Sequence, residues 1–198
     1  AHEIDTAIML LSRLPRIAVL AYCAMRDKFL GESLYIHHFV PGERTAETIL
    51  SMLRPDRSFT EEEARVLDIM LMLHAEHGGG NNSTFTCRTL TSSDTDPYSA
   101  YSGAIGSLKG ARHGGANNRV LAMTDDIEEH VKDITDEGQV ADYLRRILRK
   151  EAYNRTGLIY GMGHAVYTLS DPRAEVLHEY AKDLVSGTEY EREFRLLE

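Results

Sequence analysis

The chain has 198 residues, 42% of them apolar and 27% charged, with 31 acidic against 22 basic side chains and a formal charge of −9 at pH 7. That apolar content is enough for a packed core, and the acidic excess excludes a broad nucleic-acid surface. Two cysteines, Cys23 and Cys87, lie far apart in no metal-ligand spacing, which points to free thiols and a cytoplasmic setting. The apolar run Ile8 to Leu11 is interrupted by Arg13, Pro15 and Arg16 before Ile17 to Tyr22 resumes. No bilayer span is therefore expected, and the start lacks the basic, apolar, small-residue order of a signal peptide.

In chain order, Leu34 to Val40 is the one candidate strand, flanked by turn-like Gly31-Glu32-Ser33 and Pro41-Gly42. Thr60-Glu-Glu-Glu63 predicts a helix start, because the hydroxyl and the carboxylate three residues apart can each satisfy the other's backbone amide. That helix runs through Val66 to Leu73, is apolar almost all round and so is expected to be buried, and ends at Gly78-Gly79-Gly80. Gly78 to Thr84 is the expected hinge and domain boundary.

Asp96-Pro97 predicts a second helix with Asp as cap and Pro in its first position, reaching about Lys109-Gly110. Its small residues, Ser99, Ala100, Ser102, Gly103, Ala104, Gly106 and Ser107, lower helix propensity and predict close neighbours. Helices follow from Ala116 to about His130, from about Glu137 to Lys150 with Val140, Tyr143, Leu144, Ile147 and Leu148 inward, and from Asp171-Pro172 onward. The fold class is all-α.

Three histidine segments are set in glycine: His74-Ala-Glu-His77-Gly-Gly-Gly-Asn-Asn, Arg112-His113-Gly-Gly-Ala-Asn and Gly161-Met162-Gly163-His164-Ala-Val-Tyr. Glycine lets a ligand approach backbone and imidazole together, and a histidine can donate to a carbonyl oxygen that turns negative in a transition state. Two such groups could polarise two carbonyls. His2, His130 and His178 read as capped helix ends or packed imidazoles. His74, one turn before His77, reads as its support, and His113 stands open between a structural and a functional role.

A metal site is not expected. His74 and His77 are three apart with Glu76 between them, which fits neither the His-Glu-x-x-His order nor its inverse. The Gly78 to Thr84 run lacks the Gly-Lys-Ser/Thr ending of a phosphate loop. Asp171-Pro172-Arg173 places a guanidinium in the first turn of a helix, where it can grip a substrate carboxylate through two hydrogen bonds or stay solvated.

These blocks, with Gly106-Ser-Leu-Lys-Gly-Ala preceding Arg112 and the Leu73 and Ser83-Thr84 flanks of the first, resemble the citrate synthase family in order and spacing, over essentially the whole chain and in the manner of bacterial citrate and 2-methylcitrate synthases. The resemblance implies a helical fold with part of a large domain over 1–77 and a small domain over 78–198 carrying the active-site and CoA-binding segments. It also implies a homodimer, no metal, and acetyl-CoA as a co-substrate rather than a tightly bound cofactor.

By that resemblance, His77 is the histidine that polarises the acetyl-CoA thioester and stabilises its enol, and His164 the one that holds the oxaloacetate carbonyl. Arg173 matches the family's oxaloacetate arginine, and His38 is the residue favoured for a further oxaloacetate histidine. Leu158, Ile159, Gly161, Met162 and Gly163 match the turn that borders CoA. Thr168 stands where the family often has a basic residue for a CoA phosphate, so Lys109, Arg112 and Arg119 are candidate substitutes. The family's aspartate base, in an Asn-Val-Asp-like motif, has no match before Glu198, and Asp183 sits in an ordinary helical context. The 198 residues alone are therefore expected to lack turnover, to expose apolar surface and to associate.

Overall fold

A computed structural model describes residues 2–75, 80–163 and 167–197. Among these residues the regular structure is helical and comprises α1 (His2–Leu30), α2 (Thr45–Leu53), α3 (Glu61–His74), α4 (Asn82–Thr91), α5 (Pro97–Leu108), α6 (Gly115–His130), α7 (Glu137–Leu148), α8 (Pro172–Val185) and α9 (Glu191–Leu197). Two compact units form, one of Ala1–His77 with Asp94–Tyr98 and the other of Gly78–Ser93 with Ser99–Glu198.

In the first unit α1 lies on α2. Val19 and Cys23 are buried with Met52, and Leu20, Ile49 and Leu53 pack around them. Pro15 is inside α1, removing one backbone donor without ending the helix. The expectation that Arg13, Pro15 and Arg16 break the apolar character does not hold: α1 is long and apolar enough to cross a membrane by length and composition, a property shared by core helices of soluble proteins and by signal sequences. Its residues Ile4, Ile8, Leu11, Tyr22, Met25 and Phe29 are exposed.

The segment after α1 forms no strand, because none of the described residues offers it an extended partner to complete a ladder. It is fastened to the unit by side chains instead. His37 Nε2 lies 3.0 Å from the carbonyl oxygen of Arg54, Tyr35 and His37 are stacked at 6.2 Å, and Arg16 sits over the Phe39 ring.

The start of α3 follows the capping box: the Glu63 amide donates to Thr60 Oγ1 at 3.2 Å and the Thr60 amide to Glu63 Oε2 at 2.7 Å. Arg54, just past α2, donates to both Glu63 oxygens, at 3.0 and 2.5 Å. Its guanidinium and then the Thr60 amide hold the Glu63 carboxyl down at about 2. The expected burial of α3 does not hold. Ala64 is its buried residue, while Met70, Leu71 and Met72 are exposed, so the all-round apolar surface of this helix is not covered within the unit.

The second unit is built on α6 and α7. Met123, Ile127 and Val131 meet Tyr143, Ile147 and Ala152, and Val140, Leu144, Ile159 and Tyr160 pack against them. Tyr143 donates its hydroxyl to Asp126 Oδ2 at 2.6 Å, and burial, then that carboxylate, pushes its phenol up to about 12. Asp136 caps α7, accepting from the amides of Gly138 and Gln139. Leu148, expected inward, is 54% exposed; it ends the helix one position beyond Ile147, turned off the buried face.

Candidate active site

The glycine-rich first motif leads into α4. Asn81 caps that helix with its side-chain oxygen, accepting from the Ser83 and Thr84 amides at 2.8 and 3.0 Å. The helix thus begins at Asn82, inside the stretch expected to be a hinge, because an asparagine cap outweighs the freedom of the preceding glycines for residues 82–84. Leu90 on α4 fills the space that Gly103 leaves on α5, where a Cβ would overlap Leu90 Cδ1. Close packing of the small-residue stripe therefore holds at Gly103 and at buried Ala100. It does not hold at Gly106, beside which there is open space.

The second motif forms the tight turn between α5 and α6. The Gly114 amide donates to the Leu108 carbonyl at 2.9 Å and the His113 amide to Gly110 at 2.9 Å. A Cβ at Gly114 would overlap the Leu108 carbonyl oxygen, so glycine is required there by the approach of backbone to backbone. The turn presents His113 to the first motif: its Nε2 lies 2.8 Å from Ser83 Oγ, the donor being set by the tautomer. Asn82 Nδ2 also donates to Ser107 Oγ at 2.7 Å. Motifs read separately in the sequence are thus joined side chain to side chain.

The third motif is entered by the turn that holds Leu158, Ile159, Gly161, Met162 and Gly163. Ile159 and Tyr160 point into the α6–α7 core, while Leu158 and Met162 are 55% and 76% exposed. Gly161 and Gly163 have φ of +85° and +84°, a conformation that costs any other L-residue about 1–2 kcal/mol. Gly161 also lies against Val120 of α6, 3.2 Å from where its Cβ would be. The result is an anchored turn with an open outer face.

Arg119 lies over the Tyr160 ring, 5.5 Å from its centroid. Of the three cations named as candidates, it is the one whose described contacts include this turn. Hydrogen bonds from Thr156 and Asn154, with the guanidinium nearby, lower the Tyr160 phenol.

Asp171 caps α8 and Pro172 begins it, as expected. Arg173 is half-buried and paired: its Nε donates to Asp171 Oδ1 at 3.0 Å and its Nη2 to Asp171 Oδ2 at 2.5 Å. The Asp171 carboxylate raises the Arg173 guanidinium further above its ordinary value. Asp171 occupies the two-pronged face of Arg173 that a substrate carboxylate would use.

His38, in the first unit, is exposed and its backbone carbonyl accepts from Arg57 Nη2 at 3.3 Å. His77 and His164 lie outside the described residues. His74 is turned back on its own helix, Nδ1 to the Met70 carbonyl at 2.7 Å. His130 and His178 have packing contacts, His130 stacked on Tyr143 and His178 on Phe194. Sequence reasoning missed Ser83 and Asp171. The only signal for Ser83 was its place in the first motif, and Asp171 was read as a cap alone.

The architecture defines a helical protein whose first two glycine-bounded histidine motifs are joined at the start of α4 and whose third is followed in sequence by an arginine held at a helix start. The chain belongs to the citrate synthase family: the model of "Citrate synthase, C-terminal domain" matches residues 1–198. It is 40% identical over 139 residues to a citrate synthase of Deinococcus radiodurans, covering 70% of this chain and 33% of that protein. It is 38% identical over 133 residues to a 2-methylcitrate synthase of Shewanella oneidensis, covering 67% and 32%. A crystal structure of citrate synthase from Thermotoga maritima superposes with a TM-score of 0.68 at 25% identity, covering 93% of this chain and 45% of that one. The chain therefore spans about a third of the length of these curated relatives.

Proposed function

We propose that these residues form the active-site core of an acyltransferase that condenses acetyl-CoA with oxaloacetate to citrate and free CoA. The observations that support the reading are the match of the family along all 198 residues, the left-handed Gly161 and Gly163 of the 158–163 turn, and Arg173 in the first turn of the helix that Asp171 caps.

In this reading His77 donates a hydrogen bond to the thioester oxygen as the methyl proton leaves and enol character develops. His164 does the same for the 2-oxo group as it becomes an alkoxide under attack by the acetyl carbon. A preorganised donor at such an oxyanion contributes on the order of 3–4 kcal/mol. Arg173 pairs with an oxaloacetate carboxylate and His38 supports the same substrate. The open side of Leu158, Ile159, Gly161, Met162 and Gly163 borders CoA, with Arg119 supplying positive charge. Hydrolysis of the resulting citryl thioester releases the thiol and completes the balance. We assign 1–77 to the larger domain and 78–198 to the smaller, in a cytoplasmic homodimer that uses no metal.

No residue of this chain matches the family's aspartate base, so these 198 residues alone are inferred to be inactive. Propionyl-CoA, giving 2-methylcitrate, is the second reading, favoured by the likeness to the Shewanella enzyme; one extra methylene changes discrimination by only about 1–3 kcal/mol. The test is thiol release from each acyl-CoA with oxaloacetate. Robust turnover by the 198 residues would overturn the inferred need for the aspartate. Neither acyl-CoA reacting in a full-length family chain containing them would overturn the condensation reading.

A further inference from the structure

We propose that Asn154 is a positioning residue for the acyl-CoA side of the site: through the Tyr160 hydroxyl it ties the loop after α7 to the 158–163 turn and holds that turn in shape before a ligand arrives. The purpose rests on the condensation reading, the mechanics on contacts made within the second unit.

The loop that leads to the turn carries backbone strain. Lys150, Tyr153 and Arg155 have φ of +64°, +52° and +56°, in the left-handed region that non-glycine residues rarely adopt and bulky ones least of all. Such residues persist only where neighbouring contacts over-determine the chain, and they gather at ligand clamps. Here the Lys150 amide donates to the Ile147 carbonyl and the Glu151 amide to the Arg146 carbonyl, both at 2.9 Å, and the Arg155 amide to the Ala152 carbonyl at 3.2 Å. Ala152 is itself buried in the α6–α7 core.

Asn154 sits within this loop with both ends of its side-chain amide engaged. The Thr156 backbone amide, which can only donate, lies 3.1 Å from one of its terminal atoms, and Thr156 Oγ1 lies 2.7 Å from the same atom. That atom is therefore the oxygen, Oδ1. The nitrogen is thereby turned to Tyr160 and donates to its hydroxyl at 3.1 Å. The Tyr160 ring is held as well: it meets Tyr153 edge-on with centroids 6.2 Å apart, and Arg119 of α6 lies 5.5 Å from its centroid. Hydrogen bonds from Thr156 and then Asn154 lower the Tyr160 phenol, in keeping with an oxygen that accepts.

Tyr160 immediately precedes Gly161, and Gly161 and Gly163 are both left-handed. Glycine leaves the backbone free to vary, so a fixed residue at the entrance of the turn decides its shape. A turn ordered beforehand spares a ligand the ordering cost. The Asn154–Tyr160 bond should therefore act on acyl-CoA affinity and not on the chemical step.

The test uses a full-length family chain containing these 198 residues, with Asn154→Ala, Tyr160→Phe and the two together. Amide hydrogen exchange is read at residues 158–163, and thiol release gives kcat and the KM of each substrate. Each single substitution is expected to speed exchange about two- to tenfold and to raise the acetyl-CoA KM by a similar factor, leaving kcat and the oxaloacetate KM unchanged. Because both break one bond, the pair should do no more than Asn154→Ala alone. Phenylalanine keeps the ring packing, so Tyr160→Phe gives the answer should Asn154→Ala fail to fold. Unchanged exchange or an unchanged acetyl-CoA KM in Tyr160→Phe, additive effects in the pair, or a loss shared by kcat and both KM values would each overturn the proposal. An unsubstituted chain that releases no thiol counts against the condensation reading, while the exchange result still decides the Asn154 tie.

Discussion

Arg173 is gripped by Asp171, two residues before it, through hydrogen bonds to both carboxylate oxygens, and the same Asp171 caps the helix on which Arg173 sits. The proposed substrate arginine therefore already carries a carboxylate, and oxaloacetate must exchange for it. Arg173→Ala is expected to weaken oxaloacetate binding about 10- to 100-fold, the worth of a charge-assisted pair. Asp171→Asn keeps a good cap but removes the competing charge, so it should tighten binding about three- to tenfold. Calorimetry of both variants checks this; weaker binding in Asp171→Asn would show that Asp171 orients Arg173 rather than competing for it.

The Arg54–Glu63 pair predicts acid sensitivity of the first unit. Glu63 is held at about 2 in the folded chain, below its unfolded value, so its contribution is fully present above about pH 4.5. It is lost as pH falls toward 2. Glu63→Gln should reduce stability near neutrality and flatten its pH dependence between about 4.5 and 2. Urea unfolding across that range tests the sign, and parallel curves for the two proteins would refute it.

In the second unit, Ile147 is fully buried among Met123, Ile127 and Tyr143. Ile147→Ala should cost about 2–5 kcal/mol through lost transfer energy and a residual cavity. Tyr143→Phe removes only the hydroxyl bonded to Asp126 and should cost about 1–2 kcal/mol. Chemical denaturation distinguishes the two, and equal losses would show that the hydrogen bond rather than packing dominates.

The two left-handed glycines of the 158–163 turn should respond unequally. At Gly163 an added Cβ meets open space, so Gly163→Ala carries the backbone cost of about 1–2 kcal/mol alone. At Gly161 the Cβ would also press on Val120, adding about 1 kcal/mol. Thermal unfolding of both variants should rank Gly161→Ala as the less stable.

Capping chemistry was the most legible part of the fold. Thr60 with Glu63, Asp96-Pro97 and Asp171-Pro172 each mark a helix start within a residue or two, because a cap is decided by side chains next to the amides they serve. Burial was less legible. The apolar surface of α3 and the exposed apolar residues of α1 are properties of what packs on a helix, which periodicity alone does not report. The Leu34 to Val40 segment alternates like a strand, yet pairing is a property of two segments and its partner is missing among the described residues. At the site, the motif glycines and the arginine could be read directly, whereas the Ser83–His113 bond spans 30 positions and depends on how the turn at Gly114 closes.

The central claim is that His77 and His164 polarise the two carbonyls of a condensation. It is tested most directly by thiol release from acetyl-CoA and oxaloacetate in a full-length family chain containing these 198 residues, with and without His164→Ala. The account predicts a fall in kcat on the order of 10²–10³-fold on losing that donor; turnover unchanged by the substitution would contradict it.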